Sequence, residues 1–226
     1  MSISDRIKRI TSTFPDTVQL IAVSKTHPAA AVQEAYDGGQ RIFGENKVQE
    51  MAEKYELLPK DIQWHLIGHL QTNKVKYIAP FVTMIHSIDS LKLLKEVDKR
   101  AKQSDRVIDC LLQVYIADEE TKFGLLPQEA KEMLESEEFA SLKNVRIVGL
   151  MGMATFTDDL SQIEREFASL KSLFEELSSS IEHSPQWQPK EISMGMSSDY
   201  ELAIKHGSTL VRIGSSIFGA RDYGKH

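Results

Sequence analysis

The sequence predicts a (β/α)8 barrel, and three observations carry that prediction. Eight short apolar runs recur along the 226 residues, and segments with helical spacing separate them. The alternation is sustained from the first run to the last, which implies parallel strands joined by helical crossovers. An open doubly wound sheet is the rival arrangement.

Ile3, Ile7, Ile10 and Phe14 recur at helical spacing ahead of the first strand, so an extra N-terminal helix is predicted. The first strand, Val18–Val23, runs out into Ser24-Lys25-Thr26-His27-Pro28, and Pro28 suits the first position of the next helix. Strands follow at Arg41–Phe43, Ile62–Leu66 and Thr83–His86. Leu91, Leu94, Val97 and Ala101 then mark a helix stripe. The fifth strand, Asp109–Tyr115, contains the single cysteine, Cys110, read as a small core residue; the sixth is Val145–Leu150. A longer stripe through Ile163, Phe167, Leu170, Phe174, Leu177 and Ile181 packs on the barrel, with Ser161 and Glu164 at capping-box spacing before it. Ser178 to Pro189 is the loosest stretch and is too short to divide domains, so residues 1–226 are expected to form one domain. The seventh strand is Glu191–Met194 and the eighth Thr209–Ile213. Between them lies a helix, Asp199–His206, with Ser198 and Glu201 at capping-box spacing.

Composition narrows the function classes. A hydrophobic fraction of 41% and a charged fraction of 27% are those of an ordinary globular protein. A formal net charge of −6 argues against a general nucleic-acid binder, because phosphate contacts need a basic face. No apolar run reaches the length of a membrane span. Asp5, Arg6, Lys8 and Arg9 interrupt the one stretch that might serve as a leader, and a lone cysteine forms no internal disulfide. A cytoplasmic protein without membrane or nucleic-acid partners is expected.

Two ends of the predicted barrel carry chemistry. Lys25 follows a buried strand, where desolvation disfavours an ammonium and frees the amine to attack an aldehyde; a surface lysine opening a loop is the plain alternative. Barrels of this kind bind phosphate beside the loops after strands seven and eight. The first of these reads Ser193-Met194-Gly195-Met196-Ser197-Ser198-Asp199, where Ser197 and Ser198 offer hydroxyls and the next helix offers first-turn N–H groups. Ser198 serves equally as a cap. The second reads Arg212-Ile213-Gly214-Ser215-Ser216, where Gly214 admits close backbone approach and Ser215 donates from N–H and hydroxyl. A phosphorylated aldehyde is the simplest ligand that satisfies both ends.

Five blocks of the sequence also resemble the pyridoxal-phosphate homeostasis proteins. They are Ile21–Thr26, Phe43–Glu50, Trp64–Lys74, Ser193–Asp199 and Val211–Gly219, and they occur in the family's order across nearly the whole chain. That family is similar to the barrel domain of alanine racemase. The resemblance implies that pyridoxal 5′-phosphate is held as a Schiff base on Lys25, with its phosphate at Ser197, Ser198, Gly214 and Ser215. It places Arg212 opposite the pyridine nitrogen. A guanidinium cannot accept a proton, so the ring would stay neutral and be a weak electron sink. An ion pair or phosphate clamp is the other reading of Arg212. Asn46 is a candidate partner for the ring oxygen, or a cap for the helix that follows it.

Other residues carry weaker signals. His65 and His69 are four apart, but Gly68 breaks a helical pair and a third ligand is lacking, so no metal site is predicted. His86 ends the fourth strand, where it lines the barrel mouth or is a structural strand-end histidine. Lys122 follows the fifth, as a transient acceptor of cofactor or a solvated loop lysine; Tyr223 lies in the C-terminal tail, as a recruited base or a surface residue. The structural reading is the default for each. Met151, Met153, Met194 and Met196 read as core or pocket filler.

Three functions fit these residues, of which a sugar-phosphate enzyme without pyridoxal phosphate explains the phosphate loops but leaves Lys25 unassigned; the other two use it. The first is a non-catalytic protein of vitamin B6 homeostasis that holds pyridoxal 5′-phosphate and passes it to apo-enzymes, acting as a monomer or weak dimer. The second is a pyridoxal-phosphate-dependent amino-acid racemase. The resemblance implies that racemases take their second base from an added β domain. Here eight strands and their helices occupy the chain and leave Ile217–His226 beyond them, which favours the first.

Overall fold

The computed structural model describes residues 1–117 and 124–219. In chain order the elements begin with helix α1 (Ile3–Thr11), strand β1 (Gln19–Val23), α2 (Ala29–Asp37), β2 (Ile42–Glu45), α3 (Val48–Leu57) and β3 (Gln63–Leu66). They continue with α4 (Val75–Ile78), β4 (Met84–Ile88), α5 (Leu91–Gln103), β5 (Ile108–Gln113), α6 (Pro127–Glu135) and α7 (Glu137–Ala140). The last are β6 (Val145–Met151), α8 (Leu160–Ser180), β7 (Trp187–Ser193), α9 (Tyr200–Lys205), β8 (Leu210–Ile213) and α10 (Ser215–Phe218). The strands pair in sequence order and β1 also pairs with β8, all in parallel, so the sheet closes. Closure excludes the open doubly wound alternative.

Alternation along the strands sorts side chains into two environments. Leu20 and Ala22 of β1, Phe43 of β2 and Trp64 of β3 face outward into the main core between strands and helices. Ile21, Met84, Leu111, Val148 and Leu210 form a separate cluster that fills the barrel. The stripe of α8 packs as expected, with Ile163, Phe167, Leu170 and Leu177 buried. Cys110 is buried, and burial pushes its thiol well above the ordinary value.

Several local expectations are corrected. Pro28 is the cap preceding α2 rather than its first residue, with the extended ψ of 158°. At α8 the cap is Asp159, not Ser161: its carboxylate accepts from the N–H groups of Ser161 and Gln162, and an ionised acceptor outcompetes a hydroxyl there. Helix α9 starts at Tyr200, so Ser198 is left outside it and caps nothing. Strand β7 begins at Trp187, earlier than expected. A register shift between Ile147 and Gly149 of β6 inserts extra β7 residues, and that irregularity accommodates Pro189. The short helix α10 was not anticipated. Arg6 of α1 donates from Nη1 to Ile217 O at 2.7 Å and ties the N-terminal helix to it.

Candidate functional site

A cleft of about 360 Å³ opens at the carboxyl ends of the strands, within the size range of small-molecule sites. Lys25 and His27 after β1, Asn46 after β2, and Arg212 on β8 line it. Ser197 and Ser198 after β7, with Gly214 and Ser215 after β8, line it too. The seven residues that the resemblance assigns to the cofactor, Lys25, Asn46, Ser197, Ser198, Arg212, Gly214 and Ser215, therefore line one space.

The serine-rich end of the cleft is built by two loops that hold each other. Gly214 N–H donates to Ser197 Oγ at 3.3 Å. A Cβ on Gly214 would stand 3.0 Å from Val23 O, so the close approach its lack of side chain permits is to the strand that leads to Lys25. Ser215 and Ser216 open α10, and the first N–H groups of a helix lack intrahelical partners. Asp199 Oδ1 accepts from Met196 N–H at 2.5 Å and folds the serine loop back on itself. The His27 and Phe218 rings stack with centroids 5.2 Å apart, which joins the Lys25 loop to α10.

Strand β1 ends at Val23, so Lys25 sits in a turn, half-buried. Its neighbours are anchored from outside the barrel. Lys54 of α3 is buried and its Nζ donates to Ser24 O at 2.8 Å, Glu45 Oε1 at 2.7 Å and Glu50 Oε1 at 2.8 Å. Ser24 Oγ donates to Glu45 Oε1 at 2.6 Å, and Thr26 N–H donates to Glu50 Oε1 at 2.6 Å. Burial pushes the Glu45 carboxyl up, while the Lys54 charge and the two hydrogen bonds pull it the other way. Alternation explains the split: Ser24 and Glu45 face outward to α3, and Lys25 and Asn46 face the cleft.

Asn46 does not cap α3, whose cap position is Lys47. Its amide oxygen is buried without a hydrogen-bond partner and lines the cleft. Such an atom is expected to be satisfied by a ligand, since buried polar groups rarely go unpaired. Gly68 presses the β3 loop onto it; a Cβ there would stand 2.7 Å from Asn46 Cα.

Arg212 is held from inside the barrel. Nη1 donates to Ser193 Oγ at 2.6 Å and Nη2 to Gly152 O at 3.1 Å. Ser193 Oγ also bonds His86 Nδ1 at 2.9 Å, and His86 Nε2 bonds His65 Nδ1 at 3.0 Å. A guanidinium can only donate, so the Ser193 hydroxyl accepts from it and its own proton is left for His86 Nδ1. With that direction His86 carries its proton on Nε2 and gives it to His65 Nδ1. Burial pushes His65 down to about 3 and holds His86 well below its ordinary value, so both rings are neutral. Burial also lowers Arg212 to about 10, opposed by the nearby Asp199 charge. The guanidinium stays charged at neutral pH, and among the described residues no carboxylate hydrogen-bonds to it.

Some expectations are redistributed. His65 and His69 part company: His65 lies inside the barrel, while His69 is exposed and 3.6 Å from Asp89. His86 is buried beneath Arg212 rather than at the mouth. Met153 and Met196 line the cleft, whereas Met151 and Met194 are core. Lys122 and Tyr223 lie outside the described residues. Sequence reasoning missed Lys54, Glu50 and Ser193. Glu50 and Lys54 stand four apart on a helix, an available signal that ordinarily marks an exposed pair.

Comparison with known proteins agrees with the fold. A family model described as alanine racemase, N-terminal domain, matches residues 1–222. The pyridoxal phosphate homeostasis protein of Aquifex aeolicus is 41% identical over 206 residues, covering 91% of this chain and 88% of the relative. The structure of PipY from Synechococcus elongatus, solved with PLP bound, superposes with a TM-score of 0.86 at 38% identity. The match covers 96% of this chain and 100% of that one. An alanine racemase from E. faecalis shares the fold, with a TM-score of 0.74 at 16% identity over 96% of this chain and 57% of its own.

Proposed function

This chain belongs to the alanine racemase N-terminal domain family, and from that premise we propose that it binds pyridoxal 5′-phosphate in the cleft and serves its homeostasis. In this reading the chain is one cofactor-binding domain that holds the cofactor without turning over a substrate and releases it to apo-enzymes. The observation that carries it is the convergence of Lys25, Arg212, Asn46 and the serine loops on one cleft.

The residues present fit the group. A buried amide oxygen at Asn46 lacks a partner, and a buried guanidinium at Arg212 has no hydrogen-bonded carboxylate among the described residues. When bound, the cofactor supplies an aldehyde carbon that a primary amine attacks with release of water. Lys25 supplies that amine from the turn after β1. Ser197, Ser198 and Ser215 donate hydroxyl protons to a phosphate, and the N–H groups opening α10 add backbone donors. Arg212 donates toward the ring nitrogen and, being unable to take a proton, keeps that nitrogen unprotonated. Asn46 orients the ring through its hydroxyl. Met153 and Met196 line the cleft with apolar surface.

Reconstitution with pyridoxal 5′-phosphate tests the proposal. The expected result is a visible absorption band, with borohydride fixing the cofactor onto the peptide that contains Lys25. Lys25→Ala keeps the fold and weak phosphate-dependent binding but loses the covalent link. An unmodified Lys25 peptide would refute the reading. Interconversion of alanine enantiomers at enzymatic rates would replace it with the racemase. Passage of bound cofactor to an apo-enzyme, faster from wild type than from free solution at equal concentration, tests the release step.

A further inference from the structure

We propose that Lys54 is a positioning residue for Lys25, its ammonium fixing the turn Ser24–Thr26 through Glu45 and Glu50 so that the Lys25 amine is presented to the cleft. This rests on the reading of Lys25 as the cofactor-linked lysine.

Lys54 comes from α3, outside the barrel, yet its side chain is only 6% exposed. An ammonium has three protons, and each has its own acceptor: Ser24 O, Glu45 Oε1 and Glu50 Oε1. Ser24 is the residue before Lys25. Thr26, the residue after it, gives its N–H to the same Glu50 oxygen at 2.6 Å. Both peptide neighbours of Lys25 are thus secured by one cation.

The turn needs securing. Thr26 has φ of +67°, and a β-branched residue in the left-handed region persists only where its surroundings impose it. Stability alone is a poor explanation of the cluster. A well-packed apolar side chain between helix and strand commonly stabilises as much as a buried ion pair, or more. It could not hold three acceptors in a fixed arrangement. The strained turn and the saturated ammonium together point to a device that sets where one side chain goes.

The test compares wild type with Glu50→Ala, Glu50→Gln and Lys54→Met. Three quantities are read: hydrogen exchange of the Thr26 amide without cofactor, the borohydride-trapped rate of pyridoxal 5′-phosphate capture on Lys25, and the Kd for pyridoxine 5′-phosphate. The last has no aldehyde and reports ring and phosphate contacts alone. In Glu50→Ala, Thr26 exchange should rise and capture should slow, each by about tenfold. Pyridoxine 5′-phosphate should bind within about twofold of wild type, because its contacts lie elsewhere. Glu50→Gln keeps an acceptor for Thr26 and should stay near wild type, and a folded Lys54→Met should lose at least as much capture as Glu50→Ala. Unchanged capture in Glu50→Ala or in folded Lys54→Met overturns the proposal. So does a Glu50→Gln variant as slow as Glu50→Ala, or an equal loss of pyridoxine 5′-phosphate binding. If wild type captures no cofactor, the cofactor reading fails instead, and Thr26 exchange alone then decides whether the clamp exists.

Discussion

Two buried cations flank the cleft, and the protein holds them by opposite means. Lys54, 5% exposed, lies outside the barrel and contacts two carboxylates; Arg212, 4% exposed, lies inside it and contacts a hydroxyl and a peptide carbonyl. The Lys54 charge is consumed within the protein, so that cation can act only as scaffold. The Arg212 hydrogen bonds go to neutral acceptors backed by two neutral histidines, and the nearby Asp199 charge makes no hydrogen bond to it, so part of its field remains directed at whatever enters the cleft. The lesson is that burial of a cation does not by itself mark a ligand site. What separates the two is where the compensating charge sits.

Removing the scaffold cation should produce the largest effect. Lys54→Met leaves Glu45 buried without its counter-ion, and breaking such a pair costs about 3–5 kcal/mol. Chemical denaturation at neutral pH measures the loss. A cost near zero would mean that the pair has no structural weight and that the contrast with Arg212 is empty.

On the other side, Ser193→Ala removes the acceptor of Arg212 Nη1 and the partner of His86 Nδ1 together. Leaving such buried groups unsatisfied costs about 1–3 kcal/mol. The expected signature is a loss of stability smaller than that of Lys54→Met, combined with weaker binding of pyridoxine 5′-phosphate.

Acid should separate the two regions by sign. His65 titrates near 3 when folded but near 6.5 in an unfolded chain, so between those values the unfolded state binds the extra proton. The stabilising contribution is whole above about pH 6.5 and is lost as pH falls, by up to ~1.4 kcal/mol per pH unit for this one ring. Glu45 works in the opposite direction. Its folded carboxyl titrates above the ordinary value, so its contribution is full in acid and declines as pH rises through that raised value. Unfolding free energies at pH 7, 6 and 5 should show a steeper loss in wild type than in His65→Gln. Equal slopes would mean that His65 is not held neutral.

The barrel and the serine loops that line the cleft were legible because their signals are local. Strand runs, turn glycines and serine clusters are each written in a few consecutive residues, and the order of the loops follows from the closed sheet. The supports of the two cations were not legible. His86 and Ser193 are 107 residues apart and meet only because β4 and β7 face each other across the barrel interior. Glu50 and Lys54 look like an ordinary solvent-facing helix pair, and it is Ser24 and Glu45 beneath α3 that bury them. The misplaced caps have a different cause. Near α8, Asp159 and Ser161 are both acceptable cap types two residues apart, and spacing alone cannot rank them.

The smallest expected effect tests whether the cleft is built for a guest. Asn46 Oδ1 is buried and unpaired, so in the ligand-free protein this amide contributes desolvation cost without a compensating bond. Asn46→Ala should therefore change ligand-free stability by no more than about 1 kcal/mol, whereas truncating a satisfied buried amide costs more. The same substitution should weaken pyridoxine 5′-phosphate binding if Asn46 is the proposed partner of that ring's hydroxyl. Thermal melts with and without the ligand read both effects in one experiment: a smaller ligand-induced rise in Tm from an unchanged ligand-free Tm. A large ligand-free loss with an undiminished ligand-induced rise would place Asn46 among the supports, alongside Lys54, and not among the groups that face the guest.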